Sequence, residues 1–293
     1  MSHSRVKPLL PYPALLVDTD LERVLIVADL HIGWEIDLIA NGIHIPSQLP
    51  KLLTKLQQAI DMCIPDRIII LGDIKQAIPK ISIEEWRSVP EFLKTIQESV
   101  NDVSIVLGNH DGGLETLTPS SVKIYPASGT TIGNEECIGL FHGHAWPSPD
   151  VLRCDVLIMG HIHPLLVFRD ELGSWMAEQV WVKAKCNSRR LARAYLRHLN
   201  VPTVDNPEKR LKDRCNIEIK DPNFIIMPTF NELIGGAPIN RGNRRLIGPL
   251  LRSGSVRLND AELYLLDGMF VGTVRQVRAQ LNADRVIRGK SDG

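Results

Sequence analysis

The sequence predicts an α/β protein built from two mixed sheets flanked by helices, and three features carry that reading. Strand-like apolar runs alternate with helical periodicity over residues 23–111. The alternation then stops, and strand-like runs follow one another on short connections. A basic helical segment interrupts them before they resume.

The elements follow in order. "RVLIVAD" (23–29) is a continuous apolar run ending at an aspartate, the pattern of a strand buried on both faces. "IPSQLPKLLTKLQQAIDM" has helical spacing at Leu49, Leu52, Leu53, Leu56 and Ile60, with Ser47 as the expected N-cap. "RIIILGD" (67–73) repeats the strand-then-aspartate pattern. "SIEEWRSVPEFLKTIQESV" is the next helix, with Ser82 and Glu85 in capping-box spacing. "VSIVLGNHD" (103–111) is a third strand, so parallel strands with helical crossovers are expected. "VKIYPASGTTIG", "ECIGLFHG", "DVLIMGHIHP" and "LLVFRDELGSW" then supply strands of a second, mixed sheet packed on the first. "SRRLARAYLRHL" (188–199) is a basic amphipathic helix followed by the polar stretch "NVPTVDNPEKRLKDRCN". "PNFIIMPTF" (222–230) returns to a core strand, and "AELYLLDGMFVGTVRQV" (261–277) reads as a strand pair or a helix–strand element. The division expected is a first part of the core over 1–182, a basic helical insertion or cap over 183–219, completion of the core over 220–277, and a loose basic tail over 278–293.

A hydrophobic content of 44% with 23% charged residues is that of an ordinary globular protein, and a formal net charge of zero excludes a global basic field. The charge is uneven, however. Between Val180 and Lys220 eleven lysines and arginines face only Asp205, Glu208, Asp213 and Glu218, and arginines recur from Arg241 to Arg288. The five cysteines show no C-x-x-C spacing, which indicates neither a disulfide framework nor a zinc knuckle. No run reaches transmembrane length and the N-terminus carries no signal-like apolar core, so a cytoplasmic protein without a membrane partner is expected.

Five strand ends carry metal-ligand chemistry: "ADLH" (28–31), "LGD" (71–73), "LGNHD" (107–111), "FHGH" (141–144) and "GHIH" (160–163). Six of the nine histidines fall there, His31, His110, His142, His144, His161 and His163, together with Asp29, Asp73, Asn109 and Asp111. Each short motif alone is commonplace as a turn or a surface pair; all five at successive strand ends point to one site, because carboxyl ends of parallel strands share an edge. Imidazole nitrogens mixed with carboxylate and amide oxygens suit borderline divalent metals. The ligands are too many for one ion, and Asp73 at a central strand end is the natural bridge between two. Extended backbone would aim residues i and i+2 of a pair such as Asp29 and His31 to one side without special turns.

The series Asp29-Leu30-His31, Gly72-Asp73, Gly108-Asn109-His110-Asp111, His142 and Gly160-His161-Ile162-His163 resembles the calcineurin-like metallophosphoesterase superfamily. "HIGWEIDLIANGIHIP", "GDIKQAIP" and "PTFNELIGGAPIN" are similar to its branch of archaeal phosphoesterases related to the SbcD nuclease. The resemblance implies a four-layer αββα sandwich holding two divalent ions, manganese first, with iron, zinc, nickel or cobalt as alternatives. It implies Asp29, His31, Asp73 and His163 around one ion and Asp73, Asn109, His142 and His161 around the other. His110 would protonate the leaving oxygen, and Asp111 is expected to orient His110. His144 and Lys75 are the expected substrate contacts; the segment "GDIKQ" departs from many relatives at that point, where Lys75 or Gln76 faces either substrate or solvent. The activity implied is hydrolysis of phosphodiester bonds in DNA or RNA, with a DNA-repair protein as partner; phosphatase or diesterase action on small nucleotides is the alternative. A non-catalytic scaffold fits poorly, since no ligand of the series is missing.

Overall fold

The computed structural model describes residues 5–134, 136–170, 172–203, 205–241 and 247–288. The first sheet joins β1 (Arg5–Pro8), β2 (Ala14–Asp18), β3 (Arg23–Val27), β4 (Arg67–Leu71), β5 (Asp102–Val106) and β6 (Lys123–Tyr125) in that order. β1, β2 and β3 pair antiparallel, and β3 to β6 run parallel. Parallel neighbours need long crossovers, which are supplied by α1 (Glu35–Ala40) with α2 (Leu49–Cys63) and by α3 (Ile83–Ser99).

The second sheet contains β7 (Thr130–Ile132), β8 (Ile138–Leu140), β9 (Val156–Met159), β10 (Pro164–Arg169), β11 (Trp175–Lys185), β12 (Asn223–Ile226) and β13 (Ala237–Pro238), ordered β13-β10-β11-β12-β9-β8-β7. A hairpin of β14 (Glu262–Leu265) and β15 (Phe270–Thr273) adds to β11. The remaining helices are α4 (Pro149–Leu152), α5 (Ser188–His198), α6 (Pro207–Cys215), α7 (Pro249–Arg252) and α8 (Val274–Arg288).

Side-chain alternation along the strands sorts the apolar residues into three cores, and three cores between layers make a four-layer sandwich. Leu25, Val27, Ile68 and Ile70 face α2 and α3, meeting Leu56, Ala59, Phe92 and Leu93. Their neighbours Val24, Ile26, Ile69 and Leu71 face the second sheet, where Ile138, Leu140, Val156, Ile158 and Trp181 receive them. On the far side of the second sheet Leu157, Met159, Val182 and Phe224 pack against Leu191, Tyr195, Leu196 and Leu211 of α5 and α6. Each fully buried aliphatic or aromatic side chain of this kind stabilises the fold by roughly 1.5–3 kcal/mol. The carboxyl ends of β3, β4, β5, β8 and β9 emerge on one edge.

Several expectations are corrected. "VKIYPASGTTIG" is divided between the sheets: β6 completes the first, a turn closed by the Gly129 N–H on the Pro126 carbonyl (2.9 Å) intervenes, and β7 opens the second. The N-terminal strands β1 and β2 were not anticipated. The helix after Ser47 starts at Leu49, with Ser47 Oγ only 3.4 Å from the Leu49 N–H and no side-chain cap on the helix. β11 runs on to Lys185, pairing with β12 and β14, so strand structure crosses the expected boundary at 183. The polar stretch after Leu199 holds α6, and both α5 and α6 form part of the outer helical layer. The tail from 278 is helical as far as Arg288, because Val274, Val277 and Leu281 make a buried stripe and Arg278 bonds the Ile239 carbonyl; residues 289–293 lie outside the described residues, as do Arg244 and Arg245. Cys137 and Cys154 are joined by a disulfide, which the cysteine spacing did not indicate. Among the described residues no helix is long and apolar enough to cross a membrane.

Candidate metal centre

Beyond the last residues of β3, β4 and β9 the backbone leaves the extended region. Asp29, His31, Asp73, His161 and His163 all have positive φ, between 44° and 73°. The expectation that extended backbone aims these pairs is therefore wrong; left-handed turns do so. Such conformations cost non-glycine residues of order 1–3 kcal/mol each and persist where the surroundings over-determine them. Here the turns are tied together: Asp29 N–H donates to Gly72 O (3.1 Å), His31 N–H to Asp73 O (2.9 Å) and His161 N–H to both Asp29 carboxylate oxygens (3.2 and 3.0 Å). Gly72, at φ +75°, has no room for a side chain, since a Cβ there would lie 2.5 Å from His142 Nδ1.

The turns bring eight sequence-predicted residues to one place. Two groups that share no member, Asp29 with His31 and His163 and Asp73 with His142 and His161, each offer ligand atoms within 4.8 Å of one another, and a third set, His31, Asp73 and His110, overlaps both. Asp73 Oδ2 lies 3.7 Å from His31 Nε2 and 3.2 Å from His142 Nε2, between the two groups. Asn109 Oδ1 and His161 Nδ1 stand 3.2 and 3.1 Å from His142 Nε2. His163 Nε2 is 3.4 Å from Asp29 Oδ1. His110 adjoins His31 edge to face, with ring centroids 4.9 Å apart. Three imidazole nitrogens, His31 Nε2, His163 Nε2 and His144 Nδ1, are buried without a hydrogen-bond partner, and the first two belong to the ligand cluster. Buried polar atoms without partners are rare and costly; lone pairs and carboxylate oxygens converging in this way fit divalent cations.

The far nitrogens are occupied by the fold, as ligating imidazoles require. His142 Nδ1 donates to Leu71 O (2.8 Å), His163 Nδ1 to Gly235 O (3.0 Å) and His110 Nδ1 to Gln76 O (2.5 Å). Because a carbonyl only accepts, each of these rings carries a proton on Nδ1 and keeps Nε2 on the opposite side, which for His142 faces Asn109 and His161. The open cleft is lined by His31, Asp73, Asn109, His110, His161 and His163, with Gly235, Gly236 and Ile247 on its rim.

The electrostatics favour ligation. Burial works against the Asp29 and Asp73 carboxylates, but His163 and His142 respectively outweigh it and hold both pKa values below the usual range. Burial, and then the charge on His142, pulls His161 down to about 3; burial takes His31 to about 4 against the pull of Asp73. Both shifts favour the neutral imidazole that ligation requires. Burial opposes protonation of His142, yet Asp73 and Asp29 raise it to about 9.

Two predicted roles are corrected. Asp111 does not meet the His110 ring; its buried carboxylate accepts the N–H groups of Asp73 (2.8 Å), Gly108 (2.8 Å) and Ile74 (2.9 Å), fixing the two ligand loops to each other. Lys75 is fully buried and its ammonium bonds the Ala77 carbonyl, so it offers no substrate contact. His144 lies next to the cluster, its ring 5.3 Å from that of His142, with a pKa lowered to about 4 by burial and His142. It joins neither ligand group. Two residues on, Trp146 packs against Tyr195 and stacks on His198 of α5 (ring centroids 5.3 Å, 22°), which seats the basic helix beside the His144 loop. Gln76, considered from the sequence as facing substrate or solvent, instead contacts His31 and His110, and residues to which the sequence assigned no role also build the site: the Gly235 carbonyl, and Thr229 and Asn231, which donate to the Asp29 and Leu30 carbonyls.

Fold and site together define a class, a layered α/β protein with a cluster of candidate metal ligands at the carboxyl ends of its strands. Residues 23–182 match the calcineurin-like phosphoesterase superfamily domain, and the chain belongs to that superfamily. Among solved structures it is similar to a nuclease, MPE, from Pseudomonas putida, at 17% identity and TM-score 0.47, covering 92% of this chain and 98% of that one. It is also similar to Yfce, a phosphoesterase from E. coli, at 12% identity and TM-score 0.39, covering 85% and 96%. No curated protein matches the chain.

Proposed function

We propose that the protein is a dinuclear metal-dependent phosphodiesterase acting on DNA or RNA. The observation that supports this best is the position of Asp73 Oδ2, between His31 and His142 and hence between the two groups of ligand atoms. Asp29, His31, Asp73 and His163 would hold one cation, and Asp73, Asn109, His142 and His161 the other, manganese being the first choice for a nitrogen–oxygen set. When bound, such a pair lowers the pKa of a water and draws charge from a phosphoryl oxygen. Asp73 keeps its charge for both ions because His142 holds its pKa down. His110 hydrogen-bonds Gln76 O through Nδ1 and so turns Nε2 into the cleft, where it is placed to give a proton to the leaving oxygen. His144, whose ring lies beside that of His142, is a phosphate contact in this reading.

Nucleic acid as substrate rests on the SbcD-like segments, the open cleft and the basic helix α5, which exposes Arg197 in its last turn and packs on Trp146 through Tyr195 and His198. Cationic side chains beside such a cleft suit a phosphate backbone. A DNA-repair protein as partner and a cytoplasmic location belong to the same reading. The test is a metal-supplemented panel of nitrophenyl phosphate, bis-nitrophenyl phosphate, cyclic nucleotides and single- and double-stranded DNA and RNA. Turnover of diesters and nucleic acid is expected. Turnover of monoesters or small nucleotides alone would replace the nuclease by a nucleotide hydrolase, and no turnover with any metal would remove the enzyme.

A further inference from the structure

Gln76 touches the site on two sides. Its backbone carbonyl receives His110 Nδ1, and its side-chain Oε1 lies 2.7 Å from His31 Nδ1. The opposite end of the same amide, Nε2, donates to Asp37 Oδ2 at 2.6 Å, from the short helix α1 that follows the His31 turn. The main chain of Gln76 is held as well. Its N–H lies 2.8 Å from Glu85 Oε1 and 3.1 Å from the Ile32 carbonyl, and Glu85 is a buried carboxylate that also closes the α3 capping box through Ser82.

Donor and acceptor chemistry makes this chain directional. A carboxylate only accepts, so Asp37 takes the NH2 end of the Gln76 amide. The amide oxygen is then left for His31, and it too only accepts. His31 Nδ1 must therefore carry the ring proton, which leaves Nε2 as a bare lone pair, buried without a hydrogen-bond partner and aimed toward Asp73. Had the amide faced the other way, its NH2 would have required an unprotonated Nδ1, and the proton would sit on the nitrogen that faces the cluster. We propose that Gln76, oriented by Asp37, is the positioning residue that fixes His31 in its metal-binding tautomer. This rests on the metal-centre reading for its purpose, but the tautomer itself is a property of the metal-free chain.

Two measurements on the full chain test it. In the metal-free protein, ring 15N shifts of His31 are expected to show a protonated Nδ1 in the parent and a mixed or reversed tautomer in Gln76→Leu. In Mn2+ titrations Gln76→Leu is expected to bind about 10–100-fold more weakly, the usual cost of losing a partner behind a ligating imidazole. The double variant Asp37→Asn/Gln76→Glu keeps an acceptor on His31 and exchanges donor and acceptor at position 37, so it should return both readouts to the parent range. A merely structural role would not be rescued in that way. An unchanged tautomer and dissociation constant in Gln76→Leu, or a double variant as weak as the single one, would overturn the proposal. If the parent bound no Mn2+, the metal-centre reading would fall, while the ring shifts would still decide the tautomer.

Discussion

Replacing Asp111 by alanine separates two ways of reading "GNHD". The carboxylate accepts three short backbone hydrogen bonds, from Asp73, Gly108 and Ile74, in a buried setting. Leaving three buried N–H groups without partners costs about 6 kcal/mol at the middle of the usual range. Some of that is offset, because burial and the nearby Asp73 push the Asp111 pKa up to about 6. The expectation for Asp111→Ala therefore lies at the low end of that range, a loss of about 3 kcal/mol in the unfolding free energy of the metal-free protein. Urea denaturation at pH 7, followed by circular dichroism, measures it. Mn2+ binding should weaken together with stability, since Asp111 fixes the Asp73 and Gly108 loops to each other. A stability change under about 1 kcal/mol, accompanied by a rate loss confined to esters with poor leaving groups, would refute this reasoning and restore Asp111 as the partner of His110.

Three further outcomes follow from the site. Asp73→Asn should weaken Mn2+ binding by more than about 100-fold and abolish turnover, as read by calorimetry and by bis-nitrophenyl phosphate hydrolysis, since it alters the carboxylate oxygen that faces both His31 Nε2 and His142 Nε2. His110→Ala should slow nucleic-acid cleavage by about 10²–10⁴-fold while sparing nitrophenyl esters, whose leaving groups need no proton; equal losses on both would sink the donor role. Mn2+ affinity should rise with pH, because His142, raised to about 9, is protonated in the metal-free site at pH 7 and the ion must displace that proton. Each unit below about 9 then weakens binding up to tenfold, and pH-resolved calorimetry should record proton release. For the metal-free protein the sign is reversed: the stabilisation from the His142 imidazolium is complete below the ordinary 6.5 and is lost as pH rises through about 9, so its melting temperature should fall over that window.

The layered fold was legible because buried strands leave an unmistakable mark. "RVLIV" and "RIIIL" are apolar at every interior position since each faces a core on both sides, and an aspartate shortly after each marks where the sheet edge meets solvent or a ligand. The histidines were legible for a related reason, because ligand side chains are particular residue types at strand ends. What escaped was carried by backbone. Gln76 and Gly235 act partly or wholly through carbonyl groups, which every residue possesses, so no residue type announces them. Left-handed turns at Asp29 and Asp73 escaped because the strained positions are not glycines. Asp111 beside His110 suggests a pair along the chain, whereas in the fold its oxygens point back to the Asp73 loop. Lys75 follows the same loop, and nothing in "GDIKQ" distinguishes a buried ammonium from one offered to substrate.

Anomalous diffraction from crystals grown with Mn2+ addresses the paired cations most directly. Two peaks roughly 3.5–4 Å apart are predicted, both in contact with Asp73, one also against Asp29, His31 and His163 and the other against Asn109, His142 and His161. A single peak that avoids Asp73, or none within the cluster at saturating Mn2+, would contradict it.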